Sequence, residues 1–423
     1  MSTAGTIVGR ADWLTDAALQ RLLAALSAGD DEARIVGGAV RNALLGEAVA
    51  DIDIATTTLP AETVRRAEAA GFRSVPTGFE HGTITVIADG RPYEVTTLRT
   101  DLATDGRRAT VGFGRDWRTD AERRDFTINA LYATADGRIV DLVGGLADLD
   151  ARVIRFIGDA EARIREDYLR ILRFFRFFAW YGSGRPDSDG VRVSARLKDG
   201  LGQLSAERVW AELKRLLAAP DPSRALLWMR QAGVLTKVLP ESEKWGIDAI
   251  HGLVVAERDL GWAPDPILRI AAIVPPDPER VSAMAARLKM SNADAARLDG
   301  WARSTLPAPS TSEAAFAKLL YAGDAAGLGD RLKLALAAAR ASAQTSEGAL
   351  LDAGGYGRLL KFAGNWQRPI FPVAGADLKK MGATEGKALG ATLKALEAEW
   401  IASGFALDRD ALLARAVGLL AKA

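Results

Sequence analysis

A single change of pattern near Arg155 constrains the fold of this chain more than any other feature. Between Arg34 and about Arg155 the sequence runs through short β-type segments, ARIVGG, DIDIAT, TITVIA, YEVTTLR and GRIVDLV, separated by turn residues and at least two helical stretches. Beyond Arg155 those signals vanish. The chain continues as apolar residues at helical spacing, broken by Gly and Pro, for example over 205–219, 222–233, 323–345 and 385–402. Single cores rarely exceed roughly 250 residues, so a chain of 423 residues divides into several packed units. The expected fold class is an α/β head, a mixed sheet with helices, followed by an all-α neck, body and tail. In front of the head, residues 12–28 place Leu19, Leu22, Leu23 and Leu26 at helical spacing and predict an amphipathic lead-in helix. The expected divisions are a lead-in at 1–33, a head at 34–155, a helical neck at 156–220 and a helical body and tail at 221–423. The Ala-rich stretch 323–345 predicts a solvated helix pair, and 100–122 and 182–190 read as loops.

Composition then removes whole classes of chemistry. The chain has no cysteine, which excludes disulfides, thiolate zinc sites and cysteine nucleophiles. Its two histidines, His81 and His251, are too few for a histidine-rich metal centre. The net charge is only +1, but seven arginines fall between Arg99 and Arg124 and seven more between Arg152 and Arg176. A polyanion would meet this part of the chain first. No basic-then-apolar leader and no membrane-length apolar run is present, which predicts a cytoplasmic protein without a membrane contact.

The sharpest local feature is IVGGAVRNALLG followed by DIDIAT. It reads as an apolar strand, the Gly37-Gly38 pair, a helix starting near Ala39, and then Asp51 and Asp53. In a strand, residues i and i+2 face the same way, so both carboxylates are expected to project together, with Ile52 and Ile54 toward the core. Two like charges so placed favour a cation between them, and hard oxygen donors suit Mg²⁺. Gly37 and Gly38 allow close backbone approach, and the free N–H groups of the following helix suit a phosphate, with Arg41 one turn further as a charge partner. Glu94 begins a strand in which Glu94, Thr96 and Leu98 are expected to share a face, which would bring a third carboxylate beside Asp51 and Asp53. The aromatic run 173–182 puts Phe174, Phe177, Phe178 and Tyr181 on one stripe, expected to be core.

The order strand, GG, helix, D-x-D, further acidic strand resembles that of the polymerase-β-like nucleotidyltransferases. The sequence is similar to their class II branch, the CCA-adding enzymes and bacterial poly(A) polymerases. The motifs that carry the likeness are GGAVRNALLG (37–46), DIDIAT (51–56), HGTITV (81–86), YEVTTLR (93–99), RRDFTINAL (123–131), DLVGGLADL (141–149), EDYLRILRFFRF (166–177) and SAERVWAEL (205–213). One departure is Asn42, where the family commonly has Asp.

The resemblance implies template-independent addition of C, C and A to the 3′ end of tRNA from CTP and ATP, with release of pyrophosphate by two-metal in-line transfer. Its alternatives are poly(A) addition, or addition of CC or A alone. It implies that Asp51, Asp53 and Glu94 are catalytic, with Asp51 and Asp53 holding Mg²⁺. Gly37, Gly38, Arg41, Arg124, Asp125, Asn129, Asp167, Arg170 and Arg173 would bind nucleotide. Asp167 and Arg170, expected on one face of a helix beginning near Ala160, would read the base edges of CTP and ATP. The loop 100–122, with Arg107 and Arg108, would help switch from C to A addition. Lys379 and Lys380 would contact RNA in a tail that holds the tRNA elbow. His251 is followed by Gly252, not Asp, so no fused phosphohydrolase is expected, and no protein partner is required.

Overall fold

The computed structural model describes residues 5–105, 108–243, 246–343, 345–384 and 386–420, without the side chains of residues 100–111. Contacts divide it into two compact units, Met1–Val238 and Leu239–Ala423.

The N-terminal unit is built on a mixed sheet whose strands are β1 (Ala33–Val36), β2 (Asp53–Thr56), β3 (Arg73–Gly78), β4 (Thr83–Ala88), β5 (Arg91–Thr97), β8 (Leu131–Ala133) and β9 (Ile139–Asp141). The order across it is β3-β4-β5-β2-β1-β8-β9. Only β2 and β5 pair in parallel, with Asp53 opposite Glu94 and Ile54 opposite Val95. Ile35, Ile54, Ile84 and Val95 are buried, and they set the register because a one-residue slip would turn them outward. The helices α1 (Ala17–Leu26), α2 (Gly38–Leu45) and α3 (Pro60–Ala69) pack on this sheet.

The lead-in differs from the single helix expected over 12–28. Residues Asp12–Thr15 form a 3₁₀ turn, and α1 starts only after Asp16, whose carboxylate accepts from the Ala18 and Leu19 N–H groups. Residues 100–122 are not an irregular loop. They contain the hairpin of β6 (Arg99–Asp105) with β7 (Arg108–Phe113), followed by α4 (Trp117–Glu122). A glycine, Gly106, between two β-capable runs is a turn signal that the polar composition concealed.

From α5 (Gly145–Asp150) the N-terminal unit is helical: α6 (Ala160–Glu166), α7 (Leu169–Tyr181), α8 (Ser188–Leu197), α9 (Ala206–Leu217), α10 (Ser223–Gln231) and α11 (Val234–Val238). Phe126 joins α7 to the sheet region through rings at 4.9 Å (Phe156) and 5.2 Å (Phe177), while Phe156 stacks on Phe174 at 5.5 Å. Phe174, Phe177 and Phe178 are buried as the spacing predicts, whereas Tyr181 at the end of the stripe is only half-buried.

The regular elements described in the C-terminal unit are all helices. Its longest helices, Ala325–Ser342 and Glu347–Asn365, pack together. The Ala-rich stretch 323–345 thus carries one helix and not a pair, exposed at Ala325, Ala326, Ala338 and Arg340 but buried along its other face. Leu328, Leu332, Leu336 and Ala337 are buried against the neighbouring helices. No described helix is long and apolar enough to cross a membrane.

Candidate active site

The turn between β1 and α2 forms the floor of the site. Gly37 has φ 72°, a left-handed conformation that disfavours a side chain, and its N–H donates to the Leu131 carbonyl at 2.9 Å. No side chain caps α2, so its first N–H groups are left for another acceptor. A cavity of about 490 Å³ opens beside this turn. It is lined by Gly37, Gly38, Arg41, Asp53, Arg123, Arg124, Asp125, Asn129, Asp167, Leu169, Arg170, Arg173, Phe177 and Arg208. Six arginines face three aspartates there, a balance that suits a multiply charged anion.

Asp53 opens β2 at the mouth of the cavity. Burial in the cleft and then the nearby Glu94 charge raise its pKa; Arg124 opposes this and Asp51 adds to it. Asp51 lies before the strand, not within it: β2 begins at Asp53, opposite Val36, the last residue of β1. The in-strand reason for placing both carboxylates on one side therefore fails, although Asp51 is exposed and close enough to influence Asp53 electrostatically. Ile54 is fully buried and Ile52 partly so. Glu94 is exposed on β5 in register with Asp53, but Leu98 is beyond the strand end and buried among Val36, Ala55 and Tyr132, not on the Glu94 face. Among the described residues, no three His, Asp or Glu side chains form a closed metal-binding group.

The wall of the cavity comes from α4 and the segment after it. Asp120 is 1% exposed and holds both Arg123, with Nε at 2.8 Å, and Arg124, with Nη2 at 3.0 Å, while the Tyr132 hydroxyl donates to it at 2.8 Å. Asp125 is buried and accepts from Arg173 Nε at 2.7 Å, Asn129 Nδ2 at 3.0 Å and the Phe126 N–H at 2.9 Å. Burial pushes its pKa up, but the Arg173 charge and these hydrogen bonds outweigh burial and hold it below the usual carboxylate range.

The expected helix face carrying Asp167 and Arg170 is instead a break between two helices. Asp167 ends α6 in an extended conformation (φ −156°, ψ 107°), and its carboxylate accepts from the Leu169 N–H at 3.1 Å, starting the next helix. Its second oxygen accepts from Arg208 on α9 at 2.6 Å. Arg170, one residue into α7, donates through Nη1 to the Arg163 carbonyl at 2.8 Å and to Glu166 at 2.5 Å. Asp167 and Arg170 both line the cavity despite the break.

The comparisons with known proteins agree with this arrangement. Residues 33–155 match a family described as "Poly A polymerase head domain", and 193–245 match "Probable RNA and SrmB- binding site of polymerase A". The CCA tRNA nucleotidyltransferase 1, mitochondrial, of Mus musculus is 35% identical over 392 residues, spanning 90% of this chain and 86% of its own. The chain belongs to the CCA-adding nucleotidyltransferase family. A Leuconostoc mesenteroides CCA-adding enzyme is 37% identical over 249 residues, covering 58% of this chain and 61% of its own. The structure of the Bacillus stearothermophilus CCA-adding enzyme in complex with CTP superposes with a TM-score of 0.67 at 25% identity, over 91% of this chain and 92% of the other.

In this nucleotidyltransferase the cavity gathers ten residues singled out in the sequence: Gly37, Gly38, Arg41, Asp53, Arg124, Asp125, Asn129, Asp167, Arg170 and Arg173. Asp51 and Glu94 are outside its lining. Arg107 lies outside the described residues, and Arg108 is described only by its backbone in β7. Lys379 and Lys380 are exposed at the end of the short helix Gly375–Lys380 in the C-terminal unit. His81 and His251 are exposed, and neither lines this cavity. Sequence reasoning missed Asp120 and Arg208. The first was signalled by its i, i+3 and i, i+4 spacing to Arg123 and Arg124; the second lay within the SAERVWAEL block without an assigned partner.

Proposed function

We propose that this enzyme adds C, C and A to the 3′ end of tRNA from CTP and ATP and releases pyrophosphate, acting through Asp51, Asp53 and Glu94. The observation that carries the reading is the convergence of Asp53, the Gly37-Gly38 turn, Asp167 and an excess of arginines on one cavity. The alternatives, poly(A) addition or addition of CC or A alone, use the same chemistry and differ in substrate.

A divalent cation such as Mg²⁺ fits the carboxylates, since Asp53 is a hard oxygen donor whose charge is disfavoured by burial and by Glu94 and Asp51 in the absence of a cation. Bound there, it would lower the pKa of the RNA 3′-hydroxyl and neutralise phosphate charge, as two-metal transfer requires. The chain's own residues supply orientation and further charge. The Gly37-Gly38 turn and the first N–H groups of α2 receive the triphosphate, with Arg41 and Arg124 drawing off charge as pyrophosphate leaves. Asn129 and Asp125 hold Arg41 and Arg173 in place. Each carboxylate oxygen has two lone pairs, so Asp167 retains acceptor capacity for the exocyclic amino group shared by C and A. Arg170 keeps its Nε and Nη2 hydrogens for a ring nitrogen or carbonyl. The exposed Lys379 and Lys380 are suited to phosphates of the RNA.

The test is incubation of the protein and Mg²⁺ with tRNA lacking its 3′ end, supplying CTP and ATP singly and together and sizing the products. Three added nucleotides with both substrates support the reading, and long products with ATP alone replace it by poly(A) addition. Asp167→Ala is expected to narrow the preference for CTP over UTP by about tenfold or more, the loss of one hydrogen-bonded discrimination. Unchanged discrimination removes Asp167 from base selection.

A further inference from the structure

Among the described residues, Arg41 is the one arginine of the cavity without an ion-pair partner; Arg123, Arg124, Arg170, Arg173 and Arg208 each hold a carboxylate. It is nevertheless only 6% exposed. Its guanidinium is held by neutral acceptors. Nε and Nη2 donate to Asn42 Oδ1 at 3.1 and 2.9 Å, Nη1 donates to Asn129 Oδ1, and Nη2 also donates to the Tyr181 hydroxyl at 2.9 Å. The Tyr181 ring lies beneath it, with Cζ 4.0 Å from the centroid, and Phe177 follows at 5.2 Å. One Nη1 hydrogen is left over from the five of a guanidinium.

A buried cation that is hydrogen-bonded only to neutral groups, with the Asp125 charge acting on it without direct contact, keeps most of its field for an incoming anion, while hydrogen bonds and ring faces offset its desolvation. Arg41 is placed for this use, because its Nη2 is 3.8 Å from where a side chain at Gly38 would begin. Tyr181 reaches it from the last residue of α7, 140 positions away in the chain.

We propose that Tyr181 is a positioning residue for nucleotide binding, fixing the Arg41 guanidinium beneath the Gly37-Gly38 turn so that its unpaired charge meets the triphosphate. This rests on the reading of the cavity as the nucleotide site. Tyr181 acts on the triphosphate and not on the base, so its removal affects CTP and ATP alike.

The experiment compares Tyr181→Phe, Tyr181→Leu and Arg41→Gln in steady-state addition to trimmed tRNA, with inorganic tripolyphosphate as a competitive inhibitor against CTP. Loss of a hydrogen bond to a charged group is expected to raise KM for both nucleotides about tenfold in Tyr181→Phe, with kcat within about twofold. The inhibition constant of tripolyphosphate rises by the same factor, Tyr181→Leu exceeds both effects, and Tyr181→Phe adds nothing further in the Arg41→Gln background. Tyr181→Phe retains the ring, so its melting temperature stays near that of the parent. Unchanged KM in Tyr181→Phe, or a KM rise without a matching change for tripolyphosphate, overturns the proposal while Arg41→Gln still raises KM. If Arg41→Gln leaves KM unchanged, the nucleotide-site reading of Arg41 falls as well.

Discussion

Removing Asp125 tests whether the cavity wall is held by charge. The residue is 8% exposed, and its carboxylate accepts from Arg173, Asn129 and the Phe126 N–H. Asp125→Ala leaves Arg173 and Asn129 without these bonds. Breaking a buried, hydrogen-bonded ion pair costs about 3–5 kcal/mol. The low end applies here, because the Arg173 side chain is 31% exposed and Glu212 Oε1 stands 3.9 Å away as a second partner. For a unit of this size about 3 kcal/mol corresponds to a melting shift of about 6–12 °C. Thermal unfolding of the full chain by circular dichroism at neutral pH measures it. The sign with pH follows from the depressed pKa. The stabilisation is fully present above the unfolded carboxylate value of about 4 and is lost as pH falls through the lower folded value. The gap between parent and Asp125→Ala should therefore narrow below about pH 4. A shift of under about 2 °C at neutral pH, or a gap that widens in acid, would refute the argument.

Two further outcomes follow from the same site. Asp53→Asn should reduce CTP incorporation by more than about a hundredfold without loss of stability. The raised pKa of Asp53 means that its charged form is disfavoured in the fold above that pKa, with the penalty gone below the unfolded value. Neighbouring groups crowd Asp53 in the cleft and disfavour its charge, but solvent still reaches its surface, which keeps the stability change small, and a melting temperature several degrees below the parent would contradict this. At Gly145, an added Cβ would stand 2.3 Å from the Thr127 carbonyl oxygen, a backbone atom that cannot turn aside. Gly145→Ala is expected to cost about 1–3 kcal/mol, measured by denaturant midpoint, and an unchanged midpoint would show that the segment yields freely.

The sequence by itself determined that a mixed sheet with helices comes first and an all-helical remainder follows, since the periods of strands and helices are local and survive without knowledge of partners. It also determined the residue types of the site: a glycine pair where a turn has positive φ, carboxylates near the start of β2, and arginines dense enough for a polyanion. Its errors came where a local pattern was extended one residue too far. Asp51 was assigned to a strand that begins at Asp53, Leu98 to one that ends at Thr97, and Asp167 to a helix that it terminates. Strand length is set by the partner strand and helix ends by side-chain acceptors, and neither is visible in periodicity. Only the tertiary structure decided which charges neutralise one another. Arg208 reaches Asp167 across 41 residues, Arg173 reaches Asp125 across 48, and Tyr181 reaches Arg41 across 140. Such pairings depend on how α7 and α9 pack against the sheet region, so the same arginines read as a uniform basic field in the sequence and as one unpaired cation among satisfied ones in the fold.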